Sequence, residues 1–310
     1  DDSRNGRLKE LADVCFDACI IMNETEYLFN KFFEVFQDAD HEDIFVTTLE
    51  PYVLDADLNF LPPEIVKSVV AYFISQNEAK RLEELLCRLE PTSFDLEEIT
   101  MFCRQHNLYD AMIHVWTRAI RDFVTPLVDL LQLVKMLEAG SEAEYSMDNP
   151  YFAAAMRIFP YLAFAFTSRR YPDGEIMNDD DASHAKADLY EYLFSGRSMA
   201  WPPGSKQIFH IEANPQDEPA FPYLVLLLRF DAASFMSMLN EAFEDPFLNE
   251  ADEESQLNGT ASTNGNRAGY RMTRQHIVSI LLDVMDQNNI EPEGRVFLDI
   301  FIARSLPKYP

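Results

Sequence analysis

Residues 61–131 read LPPEIVKSVVAYFISQNEAKRLEELLCRLEPTSFDLEEITMFCRQHNLYDAMIHVWTRAIRDFVTPLVDLL. Their apolar spacing describes two helix pairs in the same phase. Pro62 and Pro63 sit at a helix start, where a missing N–H leaves no bond unmade, and Ile65, Val66, Val69, Val70 and Phe73 then recur at helical spacing. After Gln76 and Asn77 a second stripe follows at Leu82, Leu85, Leu86 and Leu89, and Pro91 ends it because proline cannot continue the hydrogen-bond ladder. Asp95 and Glu98 have the form of a capping box, with Leu96, Ile99, Phe102 and Cys103 facing inward. Asn107 suits the left-handed conformation that ends a helix, and Leu108, Ala111, Met112, Val115, Trp116 and Ala119 mark its partner. Pro63 and Asp95 hold equivalent first-turn positions about 32 residues apart, a period at which stacked helix pairs build solenoids. The expected fold is all-α, an α-solenoid.

Outward from that stretch the same periodicity continues. Leu8 to Met22, Tyr27 to Phe36 and Ile44 to Leu54 read as helices, with Leu28, Phe32, Val35 and Phe36 inward. Leu127 to Leu137 is a further helix, closed by Ala139-Gly140-Ser141, so the chain divides into a helical-repeat region, 1–140, and a continuing helical region, 141–310. Aromatic and apolar residues surround Pro150 to Phe166, as expected of a helix buried on several sides. An acidic link near 173–184 leads to a short helix at Ala185 to Phe194. Residues 195–222 hold five prolines and read as a long connection packed by Trp201 and Phe209. Helices follow at Tyr223 to Leu228, Ala232 to Phe243, Thr273 to Asp286 and Glu293 to Ser305. The last two have inward stripes at Ile277, Ile280, Leu281 and Val284, and at Val296, Phe297, Ile300 and Phe301. Between them and the preceding helices, 249–269 is rich in Glu, Ser, Asn, Thr and Gly and reads as a mobile insertion.

Composition narrows the function. The chain has 310 residues, 47% of them hydrophobic and only nine glycines, which suits helix better than the many tight turns of a sandwich or propeller. A formal charge of −28 repels phosphate backbones and anionic headgroups, so neither nucleic-acid binding nor direct membrane binding is expected. No charge-free run of about 18 apolar residues occurs, and the richest stretch, Ala220 to Leu228, is too short to span a membrane. Cys15, Cys19, Cys87 and Cys103 fall on helical stripes and read as buried free thiols. The opening DDSRNGRLKE reads as the start of a piece excised from a longer protein. In a cytosolic protein the sequons at Asn23 and Asn258 are incidental.

Chemistry-bearing motifs are scarce. Asp179, Asp180 and Asp181 are the cluster that suggests a metal, but all-α isoprenoid synthases place such carboxylates about one turn apart and repeat the motif on a second helix, and this chain does neither. A solvated loop is expected there. Asp55, Asp57 and Asn59 imitate an EF-hand start, yet Phe60 stands where glycine is required and Val66 where the bidentate acid belongs. The histidines at 41, 106, 114, 184, 210 and 276 form no His-x-x-x-His pair, and no Cys-x-x-Cys exists to hold zinc. His114 reads as a hydrogen-bonded core residue and Trp116 as core in preference to a peptide anchor. No phosphate-cradling loop, nucleotide fingerprint or nucleophile elbow is present, and the tetratricopeptide signature is missing from both helix pairs. No catalytic, cofactor-binding or metal residue is assigned, and the partner-binding residues are unknown.

The run PTSFDLEEITMFCRQHNLYDAMIHVWTRAIRDFVTPLVDLL, with LEPYVL at 49–54 and LPPEIVKSVV at 61–70, resembles the vacuolar protein sorting subunit eight family of the CORVET endosomal tethering complex. The resemblance covers roughly residues 10–135. It implies a solenoid like the clathrin heavy-chain repeats, set between an upstream β-propeller and a downstream RING domain. By the same resemblance, the parent protein binds an early-endosomal Rab GTPase and the other CORVET subunits, and lies peripherally on endosomes from the cytoplasm. The reading that follows is a non-catalytic scaffold segment with no cofactor. An acidic solenoid that binds a basic peptide is the alternative, and an all-α metal-dependent enzyme comes third.

Overall fold

The computed structural model describes residues 2–140, 145–249, 272–287 and 290–308, and among these the regular structure is helical, with no strand and two isolated bridges, Arg169 with Ile176 and Ala200 with Ile208. The chain forms two compact units that divide between Ile120 and Arg121. The expected insertion at 249–269 lies, apart from Asn249, outside the described residues.

The first unit contains α1 (Asp2–Met22), α2 (Thr25–Tyr27), α3 (Phe33–Asp38), α4 (Glu42–Leu54), α5 (Pro63–Ser75), α6 (Ala79–Arg88), α7 (Leu96–Gln105) and α8 (Tyr109–Val115). Four of these helices end in one way. Asn23, Asp40, Asn77 and Asn107 all have positive φ, between 56° and 58°. Beyond each, the next amide bonds back to a carbonyl in the last turn: Glu24 to Cys19, His41 to Phe36, Glu78 to Phe73 and Leu108 to Cys103, at 2.8 to 2.9 Å. That is the Schellman stop, and short amide-bearing or acidic side chains tolerate its left-handed residue. The repeated stop reverses the chain and makes α3/α4, α5/α6 and α7/α8 antiparallel hairpins. Their second helices then pack in series, α4 on α6 and α6 on α8, with α1 on α4. This is the stacked-pair solenoid expected from the spacing.

The N-terminal stripe requires a correction. Leu28 and Phe36 are buried, but Val35 is 62% exposed, and Phe29 and Phe33 take the inward places. A π-helical turn over Leu28–Phe32 adds a residue to the turn and rotates everything after it. Phe33 thereby meets Phe45 at 5.0 Å, beside Phe16.

The second unit is built around α9 (Val124–Glu138), whose Val124, Leu127, Leu130, Leu131, Val134 and Leu137 are fully buried. The sequence spacing grouped this helix with the region ending at 140. In the structure it packs on α10 (Pro150–Ala155), α11 (Ile158–Phe166), α12 (Asp179–Leu193) and α13 (Pro222–Ala242). Pro150 to Phe166 is two helices, because Pro160 cannot donate to the Met156 carbonyl and its ring crowds that position. The helix expected from Ala185 begins six residues earlier, at Asp179. There Asn178 accepts the amide of Asp181 at 2.8 Å and three acids complement the positive helix end.

By length and composition α13 could cross a membrane, yet it is largely buried inside this unit and breaks at Asp231 (φ −158°, ψ 89°). Asp231 recaps the second half through Ser234, at 2.9 Å to the amide and 2.6 Å to the hydroxyl. The two helices read at 223–228 and 232–243 are thus the two halves of this element, separated by the break at Asp231. The unit closes with α14 (Arg274–Asp286) and α15 (Pro292–Ser305). The inward stripe of α14 is as expected. That of α15 is not: Val296, Phe297 and Ile300 are exposed, and Leu298, Phe301, Ile302 and Ser305 are buried. Gly294 explains the rotation. A Cβ there would lie 3.3 Å from that of Ala232, so the bare backbone lets this face of α15 approach α13.

Candidate functional site

Polar side chains of the first unit tie each helix pair to the next. On the Glu42–Leu54 helix, Tyr52 donates to Asp17 of α1 at 2.6 Å, and Arg81 of α6 reaches back to both oxygens of Glu50. Glu83, buried between the leucines of α6, accepts the amide of Asp110 at 2.8 Å and that of Ala111 at 3.4 Å, which caps the start of α8 from the preceding pair. The His114 Nε2 lies 2.9 Å from the Leu89 carbonyl, so this histidine is a hydrogen-bonded core residue. The Glu90 amide donates to the Asn59 carbonyl at 2.6 Å. Each contact satisfies a backbone group or a charge of one pair with a group of its neighbour, which resists sliding between pairs.

On the opposite layer α5 and α7 leave a groove of about 240 Å³. Its walls are helix faces at i, i+3, i+4 spacing: Val66, Val70 and Ala71 on one side, Ile99 and Phe102 on the other, and Phe94 lines it too. Asp95 and Glu98 line one edge. Asp95 caps α7 by accepting the Glu98 amide at 3.0 Å, and the Glu98 carboxylate meets Lys67 across the mouth at 3.3 Å. The expected capping box is thus half formed, because Glu98 turns to the lysine.

The aspartate triplet is a correction to the expected solvated loop. It forms the first turn of α12, and Asp181 turns inward to Arg121 and Arg170, both at 2.6 Å, and to the Asn178 amide at 2.9 Å. Asp180 also reaches Arg121 at 2.6 Å. Both carboxylate oxygens of Asp181 are thus paired with guanidiniums. Among the described residues no group of three metal-ligating side chains converges, and Asp55, Asp57 and Asn59 form no exception.

Trp116 is half-buried in a π-helical turn, Trp116–Ile120, which takes Ala119 off the Met112 face. The four cysteines form no disulfide; Cys19 and Cys103 are buried, and Cys15 and Cys87 half-buried. Burial first, and then the charge of Glu83, push the Cys103 thiol up to about 12.

Sequence reasoning missed two organising carboxylates of the second unit. Asp122 accepts the amides of Val124 at 3.0 Å and Thr125 at 2.9 Å and the indole N–H of Trp201 at 3.1 Å. Its signal was present, an acid just before a helix with Thr125 three residues on. Glu218 gathers the 195–221 connection through Ile211, at 2.6 Å, Ser198 and His210. Burial opposes its ionisation, but those hydrogen bonds outweigh it and hold the carboxyl below its ordinary value. Nothing local marks Glu218, whose partners come from both ends of an irregular segment.

A family profile described as Vps8 central TPR matches residues 44–243. The helix pairs share the helix-turn-helix plan of that name without the tetratricopeptide tryptophan, glycine and alanine signature. The chain is 31% identical over 281 residues to vacuolar protein sorting-associated protein 8 of Saccharomyces cerevisiae, covering 90% of this chain and 21% of that protein. It is 26% identical over 303 residues to the Homo sapiens homolog, covering 97% and 19%. The chain therefore spans about a fifth of the length of these curated relatives. The similarity also reaches well beyond the stretch near 10–135 in which the sequence wording is recognisable.

Proposed function

The chain belongs to the Vps8 family, and we propose that it serves vacuolar protein sorting as a non-catalytic scaffold segment of an endosomal tethering subunit. In this reading it sets the distance and orientation between binding modules carried elsewhere on the longer protein. Those modules engage an early-endosomal Rab and the other subunits of a CORVET-type complex, and hold the protein on endosomes from the cytoplasm. The observation that supports the reading is the ladder of ties between successive helix pairs, from Asp17–Tyr52 through Glu50–Arg81 to the Glu83 cap on α8. A stack locked in this way transmits position, whereas a flexible chain of equal length does not.

The test replaces the α5 to α8 pairs in the full-length protein with a Gly/Ser linker of matched reach. Rab and subunit binding by the remaining modules should persist while endosome clustering and fusion fall. Undiminished clustering would refute the spacer reading.

A further inference from the structure

We propose that the groove between α5 and α7 is a docking slot for a helical segment of another protein, apolar on one face and carrying Lys or Arg beside that face. The inference concerns one local surface and stands apart from the spacer reading. At about 240 Å³ the groove falls below the ~300–1,000 Å³ range of small-molecule and cofactor sites, so it suits side-chain anchors of a protein segment. Its lining recurs at positions 63, 66, 67, 70 and 71 on α5, and at 98, 99 and 102 on α7 behind its cap Asp95, so both walls run for about two helical turns, roughly 10 Å. A helix laid along such a slot inserts apolar residues at i and i+3 or i+4.

Charge selects the occupant. Two carboxylates, Asp95 and Glu98, line the groove with Lys67, the one cation among the lining residues and the partner of Glu98, and the chain as a whole carries −28. The Lys67–Glu98 pair is exposed on both sides, at 64% and 55%, so its contribution is small and an incoming cation can displace Lys67 from the carboxylate. An acidic apolar helix would meet two carboxylates with one ammonium to answer it.

The test uses the 310-residue chain and three synthetic peptides about 14 residues long, roughly four turns: Leu on one face with Lys on the other, the same leucines with Glu, and the same lysines with the leucines replaced by Gly. Fluorescence anisotropy should show micromolar binding of the Leu/Lys peptide and weaker binding of the other two. Ala71→Trp, an exposed position whose new ring fills the slot without changing charge, should weaken the Leu/Lys peptide about 10-fold. Glu98→Gln should weaken it about 3-fold, and Lys67→Ala should strengthen it about 2-fold. Because these variants could perturb the helices, circular dichroism and melting of each are compared with the parent chain, and a peptide bearing a photo-reactive leucine analogue maps the contact in the unsubstituted chain. Cross-links at α5 and α7 support the proposal. Equal binding of the Leu/Lys and Gly/Lys peptides, cross-links elsewhere, or indifference to Ala71→Trp in a folded variant would overturn it as general attraction to an acidic chain. A dimer that Ala71→Trp converts to monomer would overturn it too, by assigning the slot to a second copy.

Discussion

The carboxylate of Glu83 lies 2.8 Å from the amide nitrogen of Asp110, so a buried acid in one helix pair caps the first turn of the next. The bond joins sequence positions 27 residues apart and satisfies a donor that its own helix leaves open. It turns two adjacent hairpins into one mechanical piece.

Glu83→Ala should therefore lower stability by about 2–3 kcal/mol, the range for losing charged hydrogen bonds to buried donors, and Glu83→Gln by less because an acceptor oxygen remains. Urea denaturation of the chain checks both. Changes below ~0.5 kcal/mol in both variants would mean that the cap is not an element of stability.

Asp181 and Asp180 should behave differently although they are neighbours. Asp181 is buried and paired with Arg121 and Arg170, whereas the Asp180 side chain is 85% exposed. Asp181→Ala should cost about 2–3 kcal/mol, discounted from the ~3–5 of a fully buried pair because Arg121 is half exposed, and Asp180→Ala less than ~0.5. Excess magnesium or a chelator should leave the melting temperature of the parent chain unchanged. A magnesium-dependent rise would revive the metal reading.

The π-helical turn at Leu28–Phe32 makes a paired prediction. Phe33→Ala should destabilise by about 3–4 kcal/mol, and Val35→Ala by less than ~0.5, since Phe33 is buried against Phe45 and Val35 faces solvent. Equal losses would restore the unrotated stripe.

Trp116→Ala should cost about 1.5–2.5 kcal/mol, roughly half of the ~3–5 for a fully buried aromatic, because the ring is half-buried. Thermal or urea melts read this directly, and a loss above ~4 kcal/mol would place the ring in a core tighter than the structure shows.

Thiol labelling of the native chain near pH 8 should modify Cys15 and Cys87 before Cys19 and Cys103. Folding holds Cys103 protonated up to about 12, against 9.0 when free, so above pH ~9 the unfolded chain binds fewer protons there than the native chain. Its contribution to stability is whole below pH ~9 and is lost as pH rises toward ~12. Four thiols reacting in a single phase in the native chain would contradict the burial.

The groove and the ladder were legible in the sequence to different degrees. Val66, Val70, Ile99 and Phe102 were read as helix faces, yet nothing local says that α5 and α7 leave a gap between those faces. Glu83 drew no reading from the sequence: it sits beside the leucines of a helix stripe, and its donors at Asp110 and Ala111 belong to another pair.

By itself the sequence determined the helices, because their signals are local: apolar residues at helical spacing, prolines at first turns, and Asn77 and Asn107 at left-handed stops that a short polar side chain adopts at small cost. Tertiary structure alone decided which face each helix buries where that face is contested. It rotated the N-terminal stripe onto Phe33 through a π-turn, drew the Gly294 face of the last helix onto Ala232, and turned Asp181 from solvent to two arginines. The reason is that a helix's internal hydrogen bonds are indifferent to rotation about its axis. The partner it packs against, and the charges it must neutralise there, supply the few kcal/mol that choose among faces.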